Sequence, residues 1–354
     1  MSLSVAFVTH AGPAIGLGHV RRCLALARAW AQDGAALAFL APGAGAALER
    51  AVPELTAAGA AGVDVADMPW DREPDAARAR LADLGADVAV VDSYAATPAL
   101  VASLAEIAGR VAVVDDLADR PLPADIVING GIAAESLGYG RLAAARRDRP
   151  DTRYLLGPRY ALIDPRFGAA QPERPRPSHV RSVLIALGGA PAPELLTAAA
   201  DAALDAVPGA SVDVAAGPFG PRGVGARAER VTVHGDAPDM RALMRAADLA
   251  VTGAGVTLYE LAATGTPAVV VQIADNQGPN AAGFAAAGSA LLAGRAGDGD
   301  LRDRIAAAVS RLAGDPALRA ELAARGQALV DGRGALRAAR EIAALVPAAG
   351  RWAR

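Results

Sequence analysis

Short runs of Val, Ile and Leu alternate along the chain with longer stretches of Ala, Leu, Arg and Glu. Continuous apolar runs of this length read as strands buried on both faces, and the stretches between them carry helical spacing. The first half supplies Val5–Thr9, Leu37–Leu40, Val88–Asp92, Val111–Asp115 and Ile126–Asn129, and the second Val183–Leu187, Val212–Ala215, Val231–His234, Leu249–Thr252 and Ala268–Gln272. Two parallel sheets, each in its own Rossmann-like α/β domain, are the expectation. Beyond about Leu301 the pattern is nearly all helical, with Gly332-Arg333-Gly334 as the one clear break.

The length of 354 residues agrees with two hydrophobic cores. Between the two sets of strands lies Gln171-Pro172-Glu173-Arg174-Pro175-Arg176-Pro177-Ser178, whose prolines favour an extended connector. The division is therefore a first domain over 1–170, a linker over 171–178, a second domain over 179–335, and a last helix within 336–354 expected to fold back across the boundary.

Composition narrows the class. Although 53% of residues are hydrophobic, much of this is alanine, and no run approaches the ~20 apolar residues of a membrane span. The first residues lead straight into a strand without a signal-like stretch, so a soluble, cytoplasmic protein is expected. Cys23 is the only cysteine, which excludes an internal disulfide and any multi-thiolate metal site. A net charge of -3 with five Tyr, five Phe and three Trp offers no basic, aromatic-studded face for nucleic acid.

Several strands end in polar residues or glycine, and the carboxyl ends of parallel strands carry ligand sites, here expected to face a cleft between the domains. After the first strand comes Gly16-Leu17-Gly18-His19-Val20-Arg21-Arg22, opening an amphipathic helix. Small residues allow close backbone approach, and a helix N-terminus favours the neutral imidazole a general base needs, so His19 is suited to activate water. An ordinary turn with His19 as a cap explains the same residues. A nicotinamide site is disfavoured, because Arg21 stands where the last glycine of Gly-x-Gly-x-x-Gly belongs.

A second strand-glycine-helix transition is Thr252-Gly253-Ala254-Gly255-Val256-Thr257-Leu258-Tyr259-Glu260. A diphosphate can rest on the N–H groups there without a metal, and Glu260 can accept from both hydroxyls of a ribose. The alternative is a plain helix start with Glu260 favoured by the dipole. Asp275-Asn276-Gln277 offers donors and acceptors for sugar or phosphate, as turns generally do. Asp92-Ser93-Tyr94 and Asp115-Asp116 end strands of the first domain, where a carboxylate can orient His19 or a substrate amine, Tyr94 can donate to a sugar, or each can cap a helix. A divalent cation finds no spaced His or Glu partners beside the aspartates. His10, His179 and His234 lack ligand spacing and read as structural, and Arg141–Arg149 reads as a solvated face.

Taken in order, Gly16–Cys23, Val91-Asp92-Ser93-Tyr94, Val114-Asp115-Asp116-Leu117, Leu156-Gly157-Pro158-Arg159-Tyr160-Ala161-Leu162, Leu187-Gly188-Gly189, Gly253–Glu260 and Asn276-Gln277 span most of the chain. The ordered set resembles the UDP-2,4-diacetamido-2,4,6-trideoxy-β-L-altropyranose hydrolases of pseudaminic acid biosynthesis, relatives of the GT-B glycosyltransferases. The resemblance implies a GT-B fold, with the sugar and the base on the first domain and UDP on the second. It implies that His19 takes a proton from water, which attacks the anomeric carbon with inversion and expels UDP. Sugar contacts are implied for Gly18, Arg22, Tyr94 and Asn276. Nucleotide contacts are implied for Gly188, Gly189, Gly255, Val256, Thr257, Leu258, Glu260 and Gln277, with no metal and no cofactor. Ala190-Pro191-Ala192-Pro193 departs from the pattern, since relatives carry polar residues there and proline removes backbone donors. An inverting UDP-sugar-dependent glycosyltransferase is the alternative, and a non-catalytic nucleotide-sugar-binding protein a further one.

Overall fold

The structure is a computed structural model that describes residues 2–12, 15–145, 151–168, 177–217, 220, 221, 223, 228–235 and 239–346. It divides into two compact units, one of Met1–Gly12, Leu17–Arg166 and Arg333–Arg354, the other of Phe167–Gly332 with Pro13–Gly16. Residues 171–176 of the expected linker lie outside the described residues.

Unit 1 contains β1 (Ser4–Thr9), α1 (Gly18–Ala31), β2 (Ala36–Leu40), α2 (Gly45–Ala57), β3 (Gly62–Ala66), α3 (Pro74–Leu84), β4 (Val88–Asp92), α4 (Pro98–Leu104), β5 (Arg110–Val114), β6 (Ile126–Asn129), α5 (Tyr139–Ala145) and β7 (Arg153–Leu156). Its strands pair in parallel in the order β3-β2-β1-β4-β5-β6-β7. Both faces of this sheet are covered. Val5 and Phe7 of β1 enter one core with Trp30 and Phe39, while Ala6 and Val8 enter the other with Trp70 and Leu81. Burial on both faces is why the strand reads as an unbroken apolar run.

Unit 2 contains β8 (Ser182–Ala186), α6 (Pro193–Ala206), β9 (Ser211–Ala215), β10 (Val231–His234), α7 (Met240–Ala246), β11 (Leu249–Gly253), α8 (Val256–Thr264), β12 (Ala268–Gln272), α9 (Gly278–Ala286), β13 (Leu291–Arg295), α10 (Leu301–Gly314) and α11 (Pro316–Leu329). Its strands are parallel in the order β10-β9-β8-β11-β12-β13. The last helix, α12 (Gly334–Ala343), belongs to unit 1 and buries Ala335, Ala338, Ala339, Ile342 and Ala343 in its core.

Three strands, β3, β7 and β13, go beyond the apolar runs. Each lies at a sheet edge, where one side of the ladder is unpaired and fewer positions are buried, so Gly62-Val63-Asp64-Val65-Ala66 carries only a weak apolar signal. The helical tail has a second break, at Asp315. Its carboxylate accepts from Leu318 N at 2.9 Å, and Pro316 opens α11 because the first turn needs no donor there.

Candidate active site

Strand order reverses between β1 and β4 in unit 1 and between β8 and β11 in unit 2. At such a reversal the connections leave to opposite faces of the sheet, opening a crevice beyond the strands' carboxyl ends. The motifs sit at these points. His10 and the start of α1 follow β1, Asp92-Ser93-Tyr94 closes β4, Gly188-Gly189 follows β8, and Gly253-Ala254-Gly255 closes β11.

In unit 1, the register that pairs Thr9 with Asp92, and Asp92 with Val114, puts three strand ends side by side. His19, in the first turn of α1, is 5% exposed and its Nδ1 lies 2.6 Å from Oδ1 of fully buried Asp92. Arg22, one turn further, donates from Nε to Asp92 Oδ2 at 2.8 Å and from Nη2 to Oδ1 at 2.6 Å. Its Nη1 reaches both oxygens of Asp116 at 2.8 Å, and Tyr94 OH donates to Asp116 Oδ2 at 2.9 Å. The i, i+3 spacing of His19 and Arg22 is what lets one helix face grip one carboxylate twice.

Protonation follows from these contacts. Burial pushes the Asp92 carboxyl up, but Arg22 and His19 outweigh it and hold Asp92 below the usual carboxylate range. Arg22 is held protonated, its burial outweighed by Asp116 and Asp92. An ionised Asp92 only accepts, so its 2.6 Å contact favours a proton on His19 Nδ1 over the lone pair that Arg22 Nη2, at the longer distance of 3.0 Å from the same atom, would call for. That leaves the Nε2 lone pair as the acceptor, and Nε2 makes no hydrogen bond among the described residues. The arrangement is a histidine oriented by a carboxylate, the pairing a general base requires.

Asp115, adjacent to Asp116, does a different job. Its Oδ1 and Oδ2 accept from Leu117 N and Ala118 N at 3.3 and 3.0 Å, fixing a turn in which Ala118 takes φ +52. Tyr139 OH donates to the same residue, and burial together with Asp115 pushes its phenol up, so it remains a donor.

In unit 2, Gly255 caps α8 without any side-chain cap, and while Leu258 N donates to Gly255 O at 3.1 Å, the N–H groups of Val256 and Thr257 are left for another acceptor. Thr257, Leu258 and Glu260 are buried in that turn. Gln277 Oε1 accepts from Ala254 N at 3.2 Å and from Ile273 N at 3.0 Å, bracing the ends of β11 and β12 together. Asn280 continues the brace, donating to Ala254 O and accepting from Tyr259 OH. Gly188 has φ +108, a conformation that disfavours a side chain, and the backbone of Gly189 closely approaches Gly217.

The structure thus gathers His19, Arg22, Asp92 and Tyr94 at one strand-end cluster, and Gly188, Gly189, Gly255, Val256, Thr257, Leu258, Glu260 and Gln277 at the reversal of the other sheet. Gly18 is the first residue of α1, and Asn276 is exposed in the short turn Asp275–Gln277. Arg22 is bound to two carboxylates, and Gln277 to the backbone, so each supports its neighbours through contacts the sequence did not disclose. His10 stacks its ring on His19 at a centroid distance of 5.3 Å. His234 pairs with Asp213 at 2.8 Å. Among the described residues no cluster of three or more His, Cys, Asp or Glu is arranged to hold a metal ion, and no helix is long and apolar enough to cross a membrane.

Comparison with known proteins places these features in context. The chain has the α/β fold of the GT-B glycosyltransferases. It superposes on LpCGTa, solved in complex with UDP, with a TM-score of 0.65 over 100% of both chains at 17% identity. MurG of Acinetobacter baumannii aligns with a TM-score of 0.59 at 17% identity, covering 96% of this chain and 99% of that one. Residues 226–323, which include β11, α8 and the Gln277 brace, match the Glycosyltransferase family 28 C-terminal domain. The spore coat polysaccharide biosynthesis protein SpsG of Bacillus subtilis (strain 168) is 31% identical over 224 residues, 60% of this chain and 63% of SpsG.

Proposed function

We propose that this protein is a nucleotide-sugar-dependent glycosyl-transfer enzyme of polysaccharide biosynthesis, in which unit 2 holds the nucleotide diphosphate and unit 1 supplies the base. The observation that carries the reading is the 2.6 Å contact between His19 Nδ1 and buried Asp92, which leaves Nε2 to take a proton. In the reaction, Nε2 accepts the proton of a hydroxyl, whose oxygen bonds to the anomeric carbon. The bond from that carbon to the diphosphate oxygen breaks, and its electron pair leaves with the diphosphate. A single displacement inverts the anomeric centre. Asp92 stabilises the imidazolium formed, and the uncapped N–H groups of α8 stabilise the leaving anion. Glu260 is the acceptor for ribose hydroxyls, and UDP is the nucleotide, a reading supported by the fold shared with the UDP complex of LpCGTa and by the match to a glycosyltransferase domain. The likeness to SpsG supports a role in polysaccharide biosynthesis.

A second reading makes water the attacking hydroxyl and a diacetamido-deoxy sugar the donor, with Tyr94 and Asn276 against the sugar. The motifs that carry Gly18, His19, Asp92 and Tyr94 resemble those of the hydrolases, and that resemblance is what supports it.

UDP release from a panel of UDP-sugars, with and without hydroxyl acceptors, tests both readings. Acceleration by an acceptor supports transfer, whereas a rate set by the donor alone with free sugar as product supports hydrolysis. In either case His19→Gln lowers kcat by ~10²–10⁴. Activity retained within about tenfold removes His19 as the base, since a general base contributes more than that.

A further inference from the structure

A base oriented by one hydrogen bond can still rock about the bond joining its ring to the chain. The contact of Nδ1 with Asp92 fixes one atom of His19, and the position of Nε2, where the proton is received, depends on what bounds the ring faces. His10 lies nearly parallel to the His19 ring, at 23° and 5.3 Å between centroids. Trp70 packs edgewise on His10 at 6.0 Å, is 1% exposed, and is pinned by its Nε1 donating to Thr9 O at 2.7 Å. Tyr94 stands perpendicular to His19 at 4.7 Å, held by its hydroxyl on Asp116. The rings are thus in contact pair by pair, Trp70 with His10, His10 with His19, and His19 with the exposed Tyr94.

We propose that His10 is a positioning residue for the transfer reaction, a planar wall that fixes the His19 ring so that Nε2 faces the attacking hydroxyl. This rests on the reading of His19 as the base.

The chemistry of His10 suits a wall that must not compete for the proton. Its Nδ1 is buried and has no hydrogen-bond partner among the described residues, so a proton placed there would be a stranded donor. The charged groups that face it are His19 from α1, Asp71 from the segment before α3, and Asp92 from β4. Burial and His19 lower its pKa, and outweigh the two carboxylates. A neutral His10 presents a flat face while His19 becomes cationic. A charged one would repel the imidazolium.

The test compares His10→Leu with His10→Phe. Leucine keeps comparable bulk but removes the planar face, whereas phenylalanine keeps the face and removes both ring nitrogens. Expected are a fall in kcat on the order of 10- to 100-fold for His10→Leu, from misplacement of the base, with KM within about twofold, and a near-normal kcat for His10→Phe. Two equally active variants, or two equally damaged ones, overturn the proposal, the first because no wall is needed and the second because His10 acts through its nitrogens.

A readout independent of turnover is the His19 Nδ1–H proton resonance. It is expected to persist in wild type and His10→Phe and to broaden through solvent exchange in His10→Leu, and equal spectra count against positioning. His19→Gln separates the two levels of argument. If it keeps activity, the base reading itself fails, whereas loss in His19→Gln with none in His10→Leu removes only the role of His10.

Discussion

Asp92 concentrates the residue-scale physics of the site, because one buried carboxylate accepts from His19 and twice from Arg22. Its pKa is lowered in the folded chain, so in acid the unfolded chain binds the proton more readily, and stability falls as pH falls. This contribution is complete above the unfolded carboxylate value of about 3.9 and is lost as pH descends through the lower folded value. His10 adds an earlier stage with the same sign. Its folded pKa lies below the ordinary 6.5, so its contribution is complete above 6.5 and erodes below it. Thermal unfolding followed from pH 8 downward should therefore decline in two stages. The first should vanish in His10→Phe, and Asp92→Asn, less stable at neutral pH, should lose less than wild type in the second. A wild-type curve flat from about pH 6.5 to 4.5 would contradict the first stage. The sequence named Asp92, His19 and Tyr94 because each follows a strand or opens a helix. It could not show that Arg22 and Tyr94 share Asp116, since hydrogen bonds across 94 and 22 residues depend on strand order, not on spacing.

Interior strands were legible from their burial, and of the four edge strands only β10, with Val231 and Val233 in alternation, carried a clear apolar signal. Interior strands such as β4 and β12 carry Val at three of five positions because both faces are covered, whereas β3, β7 and β13 lie at edges and blend into their surroundings. In the helical tail the break at Gly332-Arg333-Gly334 was legible from its glycines, whereas the one at Asp315-Pro316 was not, and a buried side chain does part of the work there. Arg319 of α11 is 1% exposed, with Nη1 donating to Leu312 O at 2.6 Å and Ala313 O at 3.0 Å, and Nη2 to Pro177 O at 2.7 Å and Ser178 O at 3.1 Å. One guanidinium thus satisfies carbonyls at the end of α10 and ties them to the segment that enters β8. Methionine there keeps much of the volume but strands these buried acceptors. Arg319→Met should destabilise unit 2 by about 3–5 kcal/mol, a cost typical of breaking a buried charge-assisted network. Denaturant unfolding reads this as a lower midpoint, and an unchanged midpoint would mean that water replaces the guanidinium.

At the scale of the whole molecule, the chain completes its first unit only with its last described helix. Trp30 of α1 donates from Nε1 to Ala339 O at 3.2 Å, and α12 packs small residues against α1, so the two backbones approach closely. Alanine richness, which obscured amphipathic patterns elsewhere, is what permits this contact. Gly334 begins the helix against the backbone of Ala161, where an added side chain would collide. The burial of Ile342 is worth about 1.5–3 kcal/mol, and each alanine methyl adds nearly 1 kcal/mol. For Ala335, Ala338, Ala339, Ile342 and Ala343 together this is comparable to the 5–15 kcal/mol that holds a typical domain folded. A chain ending at residue 332 should therefore lose unit 1 while unit 2, which contains no part of α12, stays folded. Hydrogen exchange can separate the outcomes. Protection should vanish from β1, β4 and β5 and persist in β8, β11 and β12. Protection retained in both sheets would show that α1 and its strands hold without the terminal helix. Ile342→Ala should give a graded version, a loss of about 2–5 kcal/mol confined to unit 1.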